Sequence, residues 1–428
     1  MRLLFTHGTI VHADRVETNM NLYIEDGKVA LIGKNITPEA DQVIDAKGLY
    51  ILPGLVDAHC HLRDPGYEYK EDIASGTRSA AKGGFTSVAC MPNTHPVVDN
   101  VSVVSYIMEK ARKEAVVNVF PIGSITKGLE GVELSEMGSM KEAGIVAVSD
   151  DGKPVMSGAV MRKAMIYAQQ FGLPVISHCE DFDLADGGSM NEGVTATLMG
   201  LRGIPSLAED VMVSRELLLA EYTQIPVHLA HVSTRTSVEL IRQAKKRGVK
   251  VTAETCPHYF TLTEKACLGY NTLAKMNPPL RTDSDMEAIK EGLKDGTLDI
   301  IATDHAPHHR DEKNVEFDRA LNGIVGFETA LALTYTTLVE KGILSLSQMV
   351  EKLSTHPAKM LRLDKGTVAC GKAADLVLVD FDSEYAVDVS AFASKSKNSP
   401  YHGYKVKGRV MATLVAGKIV YSDKGFQV

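Results

Sequence analysis

Between Gly54 and about Leu363 the chain alternates short apolar runs, rich in Val and Ile, with longer stretches whose apolar positions recur at helical spacing. Eight such runs stand out, at 51–60, 85–91, 116–122, 145–149, 173–179, 225–232, 249–256 and 298–303. Between most of them lies a helix candidate, for example 156–171, 233–247 with Ser233 as a candidate cap, and 283–295. Eight alternating units of this kind predict an α/β fold, a closed parallel (β/α)8 barrel of the TIM type over residues 54–365. The ends read differently. Residues 1–53 and 366–428 carry short alternating strands with turn signals at Glu25-Asp26-Gly27 and Ala416-Gly417-Lys418. Neither end alone supplies many strands, so the two termini are expected to meet in one small composite β-sandwich beside the barrel.

A buried parallel strand should be apolar to its end, and several of these are not. The first run ends Asp57-Ala58-His59-Cys60-His61, the fourth Ser149-Asp150-Asp151, the fifth Ser177-His178, the sixth Ala230-His231 and the eighth Thr303-Asp304-His305. Active sites of such barrels form at the carboxyl ends of the strands. Two histidines two apart on a strand share a face with Cβ atoms about 6–7 Å apart and can converge on one ion. A lone His178 or His231 is more often a hydrogen-bonded core residue, but five strands ending alike point to a shared metal centre. Imidazole and carboxylate donors suit zinc. Six donor groups exceed the three protein ligands typical of one catalytic zinc, so two ions about 3.5–4 Å apart are expected, with one carboxylate and a hydroxide bridging them. Spacing alone leaves Asp150 and Asp151 as alternative bridges. The chemistry implied is amide or ester hydrolysis.

Composition narrows the partners. With 46 Lys and Arg against 54 Asp and Glu, the net charge is −8, and no block of basic residues suggests nucleic-acid binding. An anionic substrate would therefore need a local cation in the site. The six cysteines, Cys60, Cys90, Cys179, Cys256, Cys267 and Cys370, form no CxxC pair and read as small core residues of a reducing compartment. The first fourteen residues, broken by His7, His12 and Asp14, lack the apolar stretch of a signal peptide. Nor does any apolar run reach the ~18 residues needed to span a bilayer. A cytoplasmic protein without membrane contact is expected.

The motifs Asp57-Ala58-His59-Cys60-His61-Leu62-Arg63-Asp64-Pro65-Gly66, Met91-Pro92-Asn93-Thr94, Lys275-Met276-Asn277-Pro278-Pro279-Leu280-Arg281 and Ala302-Thr303-Asp304-His305-Ala306-Pro307-His308 resemble the dihydroorotase family in its longer, class I bacterial form. The resemblance runs along nearly the whole chain. It implies His59, His61 and Asp304 as ligands of one zinc, His178 and His231 as ligands of the other, and Asp151 as the bridge, with no carboxylated lysine. It implies that Arg63, Asn93 and His308 hold a substrate carboxylate, and that Asn277 with Asn322 and Gly323 contacts the ring. Arg63 would be the local cation, its guanidinium fork matching a carboxylate. Asp304 would shuttle the proton between water and the leaving nitrogen, so that dihydroorotate and N-carbamoyl-aspartate interconvert. The sequence departs from the family at Leu321-Asn322-Gly323, where relatives usually carry an aromatic residue in place of Asn322. The family also implies a homodimer.

Other readings stay open. Arg63 could serve in a structural salt bridge, Asn93 and Asn277 as turn formers, and the polar stretch 308–322 as a mobile lid or a static surface loop. His258, His305 and His309 are expected to be supporting or solvent-facing. The nearest rival function is another cyclic amidohydrolase, of hydantoinase or allantoinase type. A catalytically inactive barrel kept as a scaffold is a further alternative, disfavoured because all six ligand positions are filled.

Overall fold

In the computed structural model of the chain each of the eight apolar runs supplies a barrel strand. Residues 2–424 and Phe426 are described; Met1, Gly425, Gln427 and Val428, at the outer ends of the spans 1–53 and 366–428, lie outside the described residues. Strand one, Leu55–Cys60, pairs in parallel with strand two, Phe85–Cys90, which pairs with strand three, Asn118–Pro121. Strands four to eight, Val148–Ser149, Val175–Ser177, Val227–Leu229, Val251–Thr255 and Ile300–Ile301, continue in parallel and in sequence order. Single parallel bridges, Gly123 to Val148 and Cys60 to His305, join the two sets and close the ring. A helix follows every strand: Ile73–Lys82, Val101–Glu114, Met137–Ala143, Gly158–Gln170, Leu207–Thr223, Arg235–Lys246, Asp283–Lys294 and Phe327–Thr334. This is the expected (β/α)8 barrel.

Local chemistry sets the helix starts. Ser157 accepts from the Val160 amide, and Thr282 with Asp285 forms a reciprocal capping box. Ser233 does not cap the helix after strand six. Thr234 does, accepting from the Ser237 amide at 3.0 Å. The Ser233 amide and hydroxyl both donate to Glu209, a buried carboxylate that needs those donors.

Small side chains fill the middle of the ring. Ala58, Ala89, Ala147, Ala230 and Ala302 cluster with Ile122, Ile176 and Ile300, while larger residues such as Phe85, Phe260 and Phe327 belong to the main core.

The two termini share one sheet. Residues Leu3–Val11, Val16–Glu25, Lys28–Gly33, Gln42–Asp45 and Tyr50–Pro53 from the beginning join Leu376–Ala386, Lys405–Val415 and Lys418–Ser422 from the end. The run at 51–60 is therefore divided, its start in this sheet and its remainder in the barrel. Leu3–Val11 pairs with Gln42–Asp45 along its first half and with Tyr50–Pro53 along its second, which splits the sheet. The edge strand Lys28–Gly33 then meets the segment that leads into Leu376–Ala386, because Val29 donates to the Lys372 carbonyl and Ala374 to the Gly27 carbonyl. Leu3, Phe5, Leu22, Ile24, Ile51, Leu376 and Leu414 fill the enclosed space as a second core, giving the expected terminal sandwich. Five cysteines are buried, but Cys370 is exposed, because it lies in the loop before the sheet is re-entered. Among the described residues no helix is long and apolar enough to cross a membrane.

Gly54 is the junction between sheet and barrel. Its amide donates to the Asp375 carbonyl at 2.8 Å, and its carbonyl accepts from the Ser354 hydroxyl at 2.6 Å. A Cβ there would lie 2.2 Å from Thr86 Oγ1 and 2.7 Å from Thr86 Cβ. Gly54→Ala is expected to cost about 1–3 kcal/mol by overpacking, read as a lower urea midpoint than that of the unaltered chain.

Candidate metal centre and substrate site

The strand ends bring the expected donors together at one mouth of the barrel. His59, His61 and Asp151 form one group, and Asp151, His178 and His231 form another, with the donor atoms of each within 4.8 Å of one another. Asp151 belongs to both. Its Oδ1 lies 3.4 Å from His59 Nε2 and 3.6 Å from both His178 Nδ1 and His231 Nε2, and its Oδ2 lies 3.6 Å from His61 Nε2. Asp304 completes the first group, its Oδ1 being 3.1 Å from His61 Nε2 and 3.6 Å from His59 Nε2. All six residues are buried.

These donors fit zinc. Tetrahedral zinc with arms of about 2.0–2.1 Å has ligand-to-ligand edges of roughly 3.3–3.4 Å, close to most separations here. His59 Nε2 is fully buried and has no hydrogen-bond partner, although it points at two carboxylates. A buried imidazole nitrogen left this way is what a cation would satisfy.

Asp150 faces elsewhere. Its carboxylate accepts from the Ile125 and Thr126 amides at 2.7 and 3.0 Å and from the Thr126 hydroxyl. Burial pushes its carboxyl up to about 6 against those hydrogen bonds. Asp57, two residues before His59, also stays out of the cluster. It accepts from the Thr303 amide and hydroxyl at 2.9 and 2.6 Å, tying strand one to the end of strand eight.

Two buried carboxylates that sequence reading missed stand behind the histidines. Glu254 Oε1 lies 2.7 Å from His59 Nδ1, and its Oε2 lies 3.0 Å from His228 Nε2, whose Nδ1 is 2.8 Å from Thr252 Oγ1. Burial alone would raise the Glu254 carboxyl, but the facing His59 and His228 hold it far below the usual range. Glu180 Oε2 lies 3.0 Å from His178 Nε2 and accepts from Asn277 Nδ2 at 2.8 Å. The available clue was a charged residue within or just beyond an apolar strand run.

The expected substrate residues line the same mouth. Asn93 Oδ1 accepts at 2.9 Å from His61 Nδ1, and its Nδ2 is 3.3 Å from Asp151 Oδ2. Arg63 Nε donates to the Pro307 carbonyl at 3.1 Å, and its Nη2 lies 3.4 Å from His308 Nε2. Burial, then the charges of Arg63, Lys70 and Lys313, hold His308 well below its ordinary range. Its Nε2 donates to the Asn322 carbonyl at 2.7 Å, so Asn322 meets this group through its backbone while its side chain is exposed. Gly323 has φ +127°, and a Cβ on it would lie 2.6 Å from Ala306 Cβ.

The stretch after His308 is pinned from beneath. Lys313 Nζ donates to the carbonyls of Lys275, Leu321 and Gly323, and Lys275 Nζ to those of Asp318 and Ala320. His305 stacks on Phe327, His309 accepts from the Asp311 amide at the start of a short helix, and His258 is buried against Tyr259. Arg63, His231 and Asp304 all have positive φ, of 61°, 33° and 45°. Such backbone costs about 1–3 kcal/mol per residue and clusters where function needs a fixed aim.

Comparison with known proteins gives the family and the fold. The model of the Dihydro-orotase-like family matches residues 48–237, and that of the Amidohydrolase family matches 217–421. A dihydroorotase of Acetivibrio thermocellus is 62% identical over 405 residues, covering 95% of each chain. Another, of Ruminiclostridium cellulolyticum, is 58% identical over 428 residues and covers 99% of each. The chain belongs to the dihydroorotase family. Its fold is that of the amidohydrolases more widely: the L-hydantoinase (dihydropyrimidinase) of Arthrobacter aurescens superposes with a TM-score of 0.90 at 28% identity, covering 100% of this chain and 97% of that one. The dihydropyrimidinase of Brevibacillus agri gives 0.88 at 27% identity, covering 100% and 96%. The chain thus shares its barrel and terminal sandwich with hydantoinases.

Asp150→Ala would leave two buried amides without an acceptor. It is expected to lower stability by about 1–3 kcal/mol, seen as an earlier melting midpoint of the metal-free protein.

Proposed function

We propose that the chain catalyses the reversible, zinc-dependent hydrolysis of the ring amide of (S)-dihydroorotate to N-carbamoyl-L-aspartate, a step of pyrimidine (UMP) synthesis. The observation that carries this reading is one buried carboxylate, Asp151, shared by two histidine groups, with the Arg63 guanidinium close to the same mouth. Residues 54–365 are the catalytic barrel, flanked by 1–53 and 366–428.

His59, His61 and Asp304 would hold one zinc, His178 and His231 the other, and Asp151 would serve both. When bound, such a pair supplies polarisation of the amide carbonyl and a water acidic enough to ionise near neutral pH. The chain's own residues do the rest. Asp304 takes the proton of the attacking water and returns it to the ring nitrogen as the amide bond breaks. In ring closure it first removes the nitrogen's proton, so one carboxylate is base in one direction and acid in the other. Its positive φ and the contact with His61 Nε2 fix the carboxylate for that transfer. Arg63, Asn93 and His308 hold the substrate carboxylate, the cation offsetting a chain of net charge −8. Asn277 and the backbone of Asn322 and Gly323 bound the ring.

The chain works as a homodimer in this reading. Leu207, Val211, Leu218 and Tyr222 are exposed along one face of helix Leu207–Thr223, an apolar stripe that a second copy would cover. Sedimentation of a purely monomeric species at micromolar concentration would remove that part.

The deciding assay follows ring closure of N-carbamoyl-aspartate and opening of dihydroorotate by purified protein, beside hydantoin as the rival substrate. Activity is expected on the first pair, lost on chelation and restored by zinc. Asp304→Asn should cut kcat by roughly 10²–10⁴-fold. Preference for hydantoin, or near-normal turnover by that variant, contradicts the reading.

A further inference from the structure

The two halves of the metal centre are backed by different carboxylates, and only one of these also touches the substrate site. Glu254 meets His59 on one oxygen and His228 on the other, deep between strands six and seven. Glu180 gathers two contacts on a single oxygen: His178 Nε2 at 3.0 Å and Asn277 Nδ2 at 2.8 Å. Asn277 Oδ1 is buried and has no hydrogen-bond partner.

A carboxylate accepts and does not donate. Facing Glu180, the Asn277 amide is therefore held with its NH₂ turned to the carboxylate and its oxygen turned away. That oxygen is an acceptor, suited to a ring N–H and unsuited to a ring carbonyl. On the other side of Glu180, His178 turns Nδ1 into the donor cluster, 2.7 Å from His231 Nε2 and 3.6 Å from Asp151 Oδ1, because its Nε2 is engaged. Carboxylates behind ligating histidines fix ring orientation and tautomer, and their loss typically weakens metal binding by about 10–100-fold.

We propose that Glu180 is a positioning residue that couples the two tasks of this site, orienting His178 for the metal and Asn277 as acceptor for a ring N–H, whereas Glu254 engages only His59 and His228 and serves the metal side alone. The inference rests on the function proposed above. It adds a specificity element: rings with an N–H at the Asn277 position are accepted, and those with a carbonyl or an N-alkyl group there are disfavoured.

The test compares Glu180→Gln and Glu254→Gln by two readouts, zinc affinity of the reconstituted apo-protein against a chromophoric chelator, and KM for dihydroorotate at saturating zinc. Both variants should lose zinc affinity by roughly 10–100-fold. Glu180→Gln should also raise KM about ten-fold, since a glutamine lets the Asn277 amide turn, while Glu254→Gln leaves KM within about two-fold. An unchanged KM or an unchanged zinc affinity in Glu180→Gln overturns the coupling, and an equal rise of KM in Glu254→Gln overturns the division of roles. If Glu180→Gln does not fold, Glu180→Asp keeps the charge on a shorter arm and should show both changes in weaker form; neither change there refutes the inference. The unaltered chain serves as control for the underlying function. Failure of that chain to bind zinc or turn over dihydroorotate counts against the function itself, whereas a functional chain with indifferent variants counts against Glu180 alone.

Discussion

An imidazole or carboxylate carried to the mouth of a closed barrel loses its water, and the cost is several kcal/mol unless a partner replaces it. This constraint shapes the region around Asp151. Four histidine nitrogens face one buried carboxylate, and behind them Glu254 and Glu180 occupy ring nitrogens that would otherwise stand alone. His59 Nε2 is left unsatisfied, and it lies where the donor set converges. The polar centre thus gathers a buried, convergent set of imidazole and carboxylate donors suited to a metal ion.

Placement depends on the closed ring. Strands of two to six residues are too short to hold a site individually, but the bridges from Gly123 to Val148 and from Cys60 to His305 make them one rigid hoop. Asp57 reinforces the seam beside His59 by accepting from Thr303, so donors 245 positions apart in the chain sit on neighbouring strands. The terminal sheet is joined to the start of strand one at Gly54. Its own core is separate from that of the barrel interior.

The scaffold is shared with hydantoinases at less than a third identity, and a scaffold shared this widely does not by itself fix which ring is taken. At its mouth this chain sets Arg63 beside His308 and Asn277 beside Glu180. Lys313 and Lys275 hold the segment that carries Asn322 and Gly323, their side-chain nitrogens donating to its carbonyls.

By itself the sequence determined the barrel, the terminal sandwich and the donor-bearing strand ends, because apolar periodicity and misplaced polar residues are local properties of the chain. Spacing left Asp150 and Asp151 equivalent, so that only the family resemblance chose Asp151, and the sequence made Ser233 a cap, counted Cys370 as core and passed over Glu180, Glu254 and His228. The physical reason for the first, and the whole of the rest, came only with the tertiary structure. Adjacent residues at a strand end point in opposite directions, so Asp150 turned to the Ile125 and Thr126 amides while Asp151 turned to the histidines. Glu254 met His59 across 195 residues of chain, and a charge inside an apolar run shows its purpose only once the fold has brought its partner beside it.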